Sequence, residues 1–246
     1  MGIKLYGTKP SPPVHSARLM LEYKGLDYKP IWLLPGLHPI LLRTRGFSGA
    51  TVPAAKIDGR KVQTSLAIAR ALDDLQPEPP LFPSDPEQRV EVEEAERWAD
   101  EVLQDVPRRI VRWMSVHRPE TRTMIAREIG VPLPRFAAWI NAPTARYMAN
   151  KVDSDREIHN AIGAVGEVLD HVDDLIEQGV IGGEVPNVAD FQIATSVRAL
   201  LTVRDLDRAT QGRPAAEHAM RLVPGFGNDF PAGLLPAEVF RAPERS

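Results

Sequence analysis

The sequence contains no cysteine among its 246 residues. This absence excludes disulfide bonds, thiolate metal sites, a cysteine nucleophile and dithiol redox chemistry within the chain. Because a chain that needs no disulfide suits a reducing compartment, we expect a cytoplasmic protein. The first residues also lack the apolar segment of a signal peptide, and no apolar run approaches the roughly 18 residues of a membrane helix. We therefore expect no membrane partner.

A large excess of charge of either sign is also missing. The formal net charge is −3, which argues against a dedicated nucleic-acid-binding protein, because such proteins are usually basic. Residues 1–80 nevertheless hold 11 lysine and arginine residues against 6 acidic ones. This basic first third predicts a separate unit that favours a small anionic ligand, although chance surface composition explains it equally well. The 6 histidines show no metal-ligand spacing, and we expect no metal site.

Turn and capping signals predict a compact α/β unit over residues 1–80. We expect a strand at residues 3–6, a helix capped by Ser11, a second strand at residues 27–33, and a hairpin with an Asp58-Gly59 turn. A helix over residues 65–75 follows, whereas residues 36–49 remain ambiguous.

Prolines predict a stiff linker at residues 77–86, and beyond it the apolar spacing becomes helical. We predict an all-helical unit over residues 86–222, whose long first helix begins with a capping box of Ser84 and Glu87. Further helices are expected at residues 153–178, after Asn187, and at residues 214–222. The tail, residues 223–246, has no period and is rich in proline and glycine. We expect order there only if it packs, and folding over the site as a lid is one hypothesis.

Three stretches in this order resemble the soluble glutathione transferase family. They are Leu5-Tyr6-Gly7 followed by Ser11-Pro12-Pro13-Val14-His15-Ser16-Ala17-Arg18-Leu19, then Thr51-Val52-Pro53 followed by Asp58-Gly59 and Thr64-Ser65-Leu66-Ala67-Ile68, and finally Asn187-Val188-Ala189-Asp190-Phe191. Over residues 3–222 the chain resembles the bacterial serine-type members of that family. The resemblance implies a thioredoxin-like α/β domain at residues 1–80 and an all-α helical bundle at residues 86–222.

The resemblance also implies a reaction. The thiolate of glutathione, a cosubstrate, would attack an electrophilic, largely apolar substrate in the cleft between the two domains of a homodimer. Ser11 would activate the sulfur, and Val52 with a cis Pro53 would hold the cysteinyl part. Thr64 and Ser65, at the start of a helix, would take the γ-glutamyl carboxylate.

Each of these assignments has a structural alternative. Ser11 and Ser65 are also ordinary helix caps, and Pro53 read in isolation is an ordinary trans proline. Tyr6 is the rival activating group, but its place inside a strand favours core packing.

The sequence also departs from the family's pattern. Thr51 and Thr64 stand where the family often has lysine and glutamate, and Phe47-Ser48 replaces the usual Asn-Pro. Either another residue such as His38, Arg43 or Arg45 substitutes, or glutathione binds weakly, or a different thiol is used. A non-catalytic binding or interaction protein that keeps the fold is the alternative function.

Overall fold

The structure, a computed structural model, describes residues 2–130, 134, 154–227 and 229–240. Its first part is a sheet unit of four strands and three helices. These elements are β1 (Ile3–Gly7), α1 (Pro12–Tyr23), β2 (Tyr28–Trp32), α2 (His38–Arg43), β3 (Ala54–Ile57), β4 (Arg60–Gln63) and α3 (Ser65–Leu75). The short helix α2 lies in the stretch that the sequence pattern left ambiguous.

The sheet has the strand order β2-β1-β3-β4, with β1 parallel to β2 and antiparallel to β3. Tyr6 on β1 pairs with Ala54 on β3, and Ala54 also pairs with Gln63 on β4. The end of β1, the start of β3 and the end of β4 therefore meet at one edge of the sheet. The predicted hairpin is confirmed, because Asp58 and Gly59 both have positive φ, 46° and 90°, as a tight two-residue turn requires.

The second part, the helical unit, contains no strand in its described residues. Its elements are α4 (Pro86–Trp98), a π-helical segment (Ala99–Leu103), α5 (Asp105–His117), α6 (Pro119–Ile129), α7 (Ser154–Glu177), α8 (Val188–Leu201), a 3₁₀ turn (Arg204–Leu206), α9 (Asp207–Thr210) and α10 (Pro214–Leu222). The predicted order of an α/β unit followed by helices is confirmed. Residues 131–133 and 135–153 of the predicted helical domain lie outside the described residues, and the proposed domain limits stay a prediction.

The start of α4 differs from the prediction. Asp85, not Ser84, is the N-cap, and its carboxylate accepts hydrogen bonds from the N–H groups of Glu87 (3.1 Å) and Gln88 (3.0 Å). Pro86 occupies the first helical position, so the residue directly before it takes the capping role. The expected single long helix is also interrupted, because a π-helical segment joins α4 to α5.

A fully buried lysine holds the linker against the sheet unit. Lys24 Nζ, at the end of α1, donates to the carbonyl oxygens of Gln76 (2.5 Å) and Pro79 (2.8 Å) and pairs with Asp73 on α3 (2.9 Å). The same carboxylate accepts a hydrogen bond from the N–H of Leu81 (2.9 Å). This network fixes the path of the chain where it leaves the sheet unit, because a buried ammonium group must keep its partners.

A second buried charge lies where α3 meets α4. Glu96 on α4 is 1% exposed and accepts two hydrogen bonds from Arg70 on α3, at 2.8 and 3.1 Å. Burial raises the pKa of Glu96 to about 7, because desolvation outweighs the attraction of the partly exposed Arg70.

The tail packs onto the helical unit. Asp205 accepts hydrogen bonds from the backbone N–H groups of Gly233 (2.7 Å), Leu234 (3.0 Å) and Leu235 (2.9 Å). Its apolar side chains, Phe226, Phe230, Leu234, Leu235 and Val239, are buried. The expectation that packing orders the tail is confirmed for its described part, whereas residues 228 and 241–246 lie outside it. No helix among the described residues is long and apolar enough to span a membrane.

The Lys24 network gives a first prediction. We expect Lys24→Met to lower the free energy of unfolding by about 3–5 kcal/mol, because it removes the ammonium group that pairs with Asp73 and donates to two carbonyl groups. Urea denaturation measures this change. Lys29→Met, at an exposed position of β2, is the matched control and should change stability little. Equal effects of the two substitutions would contradict a structural role for Lys24.

A second prediction concerns pH. The Glu96 carboxyl binds its proton more tightly in the folded protein, with a pKa of about 7 instead of 4.5. The resulting stabilisation is complete below the unfolded value and is lost as the pH rises through about 7. Glu96→Gln cannot titrate, so we expect the variant to gain up to about 3 kcal/mol relative to the parent between about pH 5 and pH 8. Urea denaturation across this range tests it.

The control for the pH series is Glu94→Gln, at an exposed position of the same helix. A parent protein whose stability runs parallel to that of Glu96→Gln at every pH would refute the prediction.

Candidate functional site

Ser11 lies at the end of a tight turn that follows β1. Its N–H donates to the carbonyl of Thr8 (3.2 Å), and its extended backbone makes it the N-cap of α1. Its side chain makes no capping hydrogen bond. The interpretation of Ser11 as a side-chain cap is therefore wrong, although the residue does stand at the N-cap position.

The start of α1 has few donors of its own. Pro12 and Pro13 have no N–H, and the N–H groups of Val14 (3.0 Å) and His15 (3.1 Å) both donate to the carbonyl of Ser11. Over its first turn this described helix presents no free backbone N–H. The Ser11 hydroxyl is the donor that remains there for a ligand.

The start of α3 has the opposite arrangement. Thr64 is the N-cap, and its hydroxyl accepts a hydrogen bond from the N–H of Ala67 (3.2 Å). Ser65 follows at the first helical position and is 2% exposed. Its Oγ is buried and makes no hydrogen bond to any described residue. Since the first N–H groups of a helix have no intrahelical partner, those of Ser65 and Leu66 are open to an acceptor.

Thr64 has an unusual backbone, with φ at 83° and ψ at 150°. A positive φ is a genuine outlier for a β-branched residue and costs on the order of 1–3 kcal/mol. Its N–H donates to the carbonyl of Pro53 (3.0 Å), which ties the start of α3 to the start of β3.

The Val52–Pro53 peptide bond is cis, as the resemblance implies. Pro53 is buried and Val52 is half-buried. The backbone N–H and C=O of Val52 form no hydrogen bond with the part of the chain that the structure describes. The side chain of Gln63 braces the preceding loop, because it donates to the carbonyl of Thr51 (2.7 Å) and accepts from the N–H of Gly49 (3.0 Å).

The topology of the sheet brings these segments together. The Ser11 turn follows β1, Val52 and Pro53 precede β3, and Thr64 and Ser65 follow β4, so all three adjoin the same edge of the sheet. The resemblance assigned these residues to one glutathione site, and the shared edge places the three segments on the same side of the sheet unit.

Of the rival and substitute groups, Tyr6 and Arg45 are engaged in other contacts. Tyr6 is 7% exposed and packs edge-on against Phe47 at 5.3 Å, which confirms the expectation of core packing. Arg45 donates to the carbonyl of Leu41 (2.7 Å) and lies over the Tyr6 ring. Burial lowers the pKa of His38, whose Nδ1 has no hydrogen-bond partner in the described ranges. Thr51 is exposed, and no charged side chain replaces it in these contacts.

No metal cluster is found among the described residues, and the cavity beside the linker lies away from the predicted site residues. The described residues contain no group of three or more histidine and acidic side chains that could hold a metal ion. A cavity of about 350 Å³ lies between the linker, α4 and the loop before α8, where Phe82, Val92 and Val185 contribute to its wall. None of the predicted site residues lines it, and the position of the electrophile in a cleft between the units stays a prediction.

Comparison with known proteins supports a relationship to glutathione transferases. Residues 5–80 match the family model described as the glutathione S-transferase N-terminal domain. A segment of 86 residues is 43% identical to glutathione S-transferase Z2 of Arabidopsis thaliana. That match covers 34% of this chain and only 38% of the plant protein, so it spans well under half of this relative.

Solved structures extend the likeness to the helical unit. A glutathione S-transferase from Rhodospirillum rubrum aligns with 89% of this chain and 87% of its own, with a TM-score of 0.59 and 20% identity. One from Methylobacterium radiotolerans, in complex with glutathione sulfonate, aligns over 90% of each chain with a TM-score of 0.55 and 19% identity. At such identities the likeness establishes the fold alone. The chain thus has the glutathione transferase fold, a thioredoxin-like α/β unit followed by a helical unit.

Proposed function

We propose that the chain is a glutathione-transferase-like enzyme of the serine type. It would join the thiol of glutathione, or of a related low-molecular-weight thiol, to an electrophilic and largely apolar substrate. In this proposal Ser11 activates the sulfur, and Val52 with Pro53 binds the cysteinyl backbone. Thr64 and Ser65 form the site for the γ-glutamyl carboxylate.

The buried hydroxyl of Ser65 is the observation that carries the proposal. A buried polar group without a hydrogen bond costs about 1–3 kcal/mol, so its position calls for a partner. Ser65 Oγ makes no bond within the described residues, and it stands beside two open N–H groups at the start of α3. In the proposed complex a carboxylate accepts from the two N–H groups, the Ser65 side chain, which is buried without ligand, turns outward to donate to it, and the helix dipole favours its negative charge.

Ser11 supplies the chemistry of the proposed reaction. A free thiol has a pKa near about 8.5, so little thiolate exists at neutral pH. A hydrogen bond from the Ser11 hydroxyl stabilises the thiolate by roughly 0.5–1.5 kcal/mol, which lowers the thiol pKa by about one unit. The thiol proton leaves to solvent, the sulfur forms a bond to the electrophilic carbon, and the leaving group takes its bonding pair.

The comparisons support glutathione as the thiol. The Methylobacterium radiotolerans relative of the same fold was solved with glutathione sulfonate, and the segment similar to glutathione S-transferase Z2 comes from a plant enzyme of the same kind. Thr51 and Thr64 weaken this support, because they leave the site without two charged contacts of about 1.5–3 kcal/mol each. They favour the alternative, a binding or interaction protein that keeps the fold without catalysis.

Ser65→Ala tests the carboxylate site. We expect the variant to bind glutathione about tenfold or more weakly, because a charge-assisted hydrogen bond is lost. Its stability without ligand should be unchanged or higher, because the substitution removes an unsatisfied buried hydroxyl. Thermal unfolding with and without millimolar glutathione measures both quantities.

The control is Ser196→Ala, which removes a buried hydroxyl on α8 that also makes no bond to a described residue. It should leave the glutathione response intact. If Ser65→Ala responds to glutathione as the parent does, the carboxylate site is wrong. If the parent itself shows no response and no turnover of an aryl halide, the non-catalytic alternative is favoured.

Ser11→Ala tests the activating hydroxyl separately. We expect nearly unchanged glutathione binding, a fall in kcat of about tenfold at neutral pH, and an upward shift of about one unit in the pKa of the bound thiol. The ultraviolet absorbance of the thiolate and the pH profile of kcat report these changes. An unchanged thiol pKa would remove Ser11 from the mechanism.

We further propose that the protein acts as a cytoplasmic homodimer. The relationship to glutathione transferases supports both points. Sedimentation at several concentrations should give about twice the chain mass of 27.2 kDa, and a monomer at all of them would oppose the proposal.

A further inference from the structure

The tail contacts the helix that carries Ser11. The ring of Phe226, which is 8% exposed, lies 4.5 Å from the ring of His15 on the first turns of α1. These two residues are separated by most of the chain, so the contact joins the tail to the sheet unit. It lies outside every contact assigned to the thiol.

His15 connects this contact to the Ser11 turn. Its Nε2 lies 2.7 Å from the carbonyl oxygen of Lys9, and since a carbonyl only accepts, Nε2 carries the proton and donates. Burial is the largest influence on the pKa of His15 and lowers it, so the ring is neutral near pH 7. Lys9 stands inside the turn between Thr8 and Ser11.

The helical unit holds the same turn from a second side. Lys9 Nζ donates to the carbonyl oxygen of Glu128 at the end of α6 (2.9 Å). Lys9 is therefore bonded through its carbonyl to α1 and through its side chain to the helical unit. Both bonds act two residues before Ser11.

The tail is itself anchored to the helical unit by hydrogen bonds to its backbone. The N–H of Phe230 donates to the carbonyl of Thr202 (2.6 Å), and Arg118 Nε donates to the carbonyl of Leu234 (2.7 Å). Together with the bonds to Asp205, these contacts fix residues 230–235 of the tail to the helical unit.

We infer that the tail positions the turn that presents Ser11, with Phe226 and His15 as positioning residues. Phe226 packs on His15, His15 holds the carbonyl of Lys9, and the orientation of the turn sets the direction of the Ser11 hydroxyl. This inference rests on the proposed function for the role of Ser11, but the mechanical link does not depend on it.

The orientation of this turn matters because, among the described residues, the start of α1 has only one donor for a bound thiolate. The two prolines leave the start of α1 without free backbone donors, so stabilisation of a bound thiolate there depends on the direction of the one hydroxyl. A displacement of about 1 Å in such a group is enough to reduce catalysis strongly.

Three substitutions test the link. His15→Leu removes the donor to Lys9, Phe226→Ala removes the ring that packs on His15, and His15→Gln keeps an amide donor at a similar reach. Val239→Ala is the control, because it removes buried apolar volume from the tail segment that packs on α7. Each is made in the full-length protein.

The first readout is hydrogen exchange of the backbone amides of Ser11 and His15, followed by NMR without ligand. We expect exchange about three- to tenfold faster in His15→Leu and Phe226→Ala, with the rate restored in His15→Gln and unchanged in Val239→Ala. The second readout is kcat and the thiolate pH profile with glutathione and an aryl halide. We expect kcat to fall about three- to tenfold in the same two variants, with the profile moving to higher pH.

Each result decides a separate point. Exchange that does not respond, or that responds equally in Val239→Ala, overturns the inference. If the parent is active and the two variants exchange faster but keep the kcat of the parent, the positioning role is overturned. If the parent shows no turnover, the proposed function fails, and the exchange data alone decide whether the tail holds the turn.

Discussion

The buried start of α8 is the constraint on which the two units depend. Asp190 is 1% exposed, and its carboxylate accepts hydrogen bonds from the N–H groups of Asn187 (2.8 Å) and Gly182 (2.7 Å). His218 Nε2 on α10 lies 3.2 Å from the same carboxylate. The predicted cap at Asn187 is confirmed, and it completes a reciprocal capping box. Because α8 packs against α1, α4 and α10, a helix end left unsatisfied there would disturb all three contacts. The helix that begins at Ser11 thus rests on a helix whose position the Asp190 carboxylate secures.

Elements with local start and stop signals could be predicted from the sequence. The helices at residues 65–75 and 214–222 have their predicted bounds, because residues at their ends specify them locally. The π-helical segment escaped prediction because its residue spacing does not differ visibly from that of an ordinary helix. The helix α6 escaped prediction because only Thr121 and Ala126 of its residues are buried, so it lacks a clear apolar stripe. Val90 and Val102 are 55% and 45% exposed, although the apolar residues of an amphipathic helix ordinarily face inward. Val102 lies within the π-helical segment, where the wider turn changes which residues face inward.

The candidate site also combines features that the sequence predicts with features that it does not. Ser11, Pro53 and Ser65 occupy the predicted places because each follows or precedes a strand with a recognisable turn signal. The hydrogen bonds of the hydroxyls could not be predicted, because a cap is decided by side-chain geometry. Ser11 leaves its capping bond unmade, and Thr64 takes the one at α3. The contact of His15 with Phe226 was beyond sequence reasoning, since nothing local relates a helix at the start of the chain to its tail. The apolar residues of the tail were the only signal, and they indicated packing without indicating where.

The lack of charged side chains in the proposed thiol site should affect KM and kcat differently. In the proposed complex, Thr51 and Thr64 would remove charged contacts from the bound peptide, not from the reacting sulfur. Interactions made equally in the ground state and the transition state affect KM, whereas those made at the sulfur affect kcat. Loss of the former with retention of Ser11 therefore predicts a high KM for glutathione and an ordinary kcat. Separate measurement of KM and kcat therefore distinguishes a weakly binding enzyme, with a high KM and an ordinary kcat, from a protein that keeps the fold for binding alone.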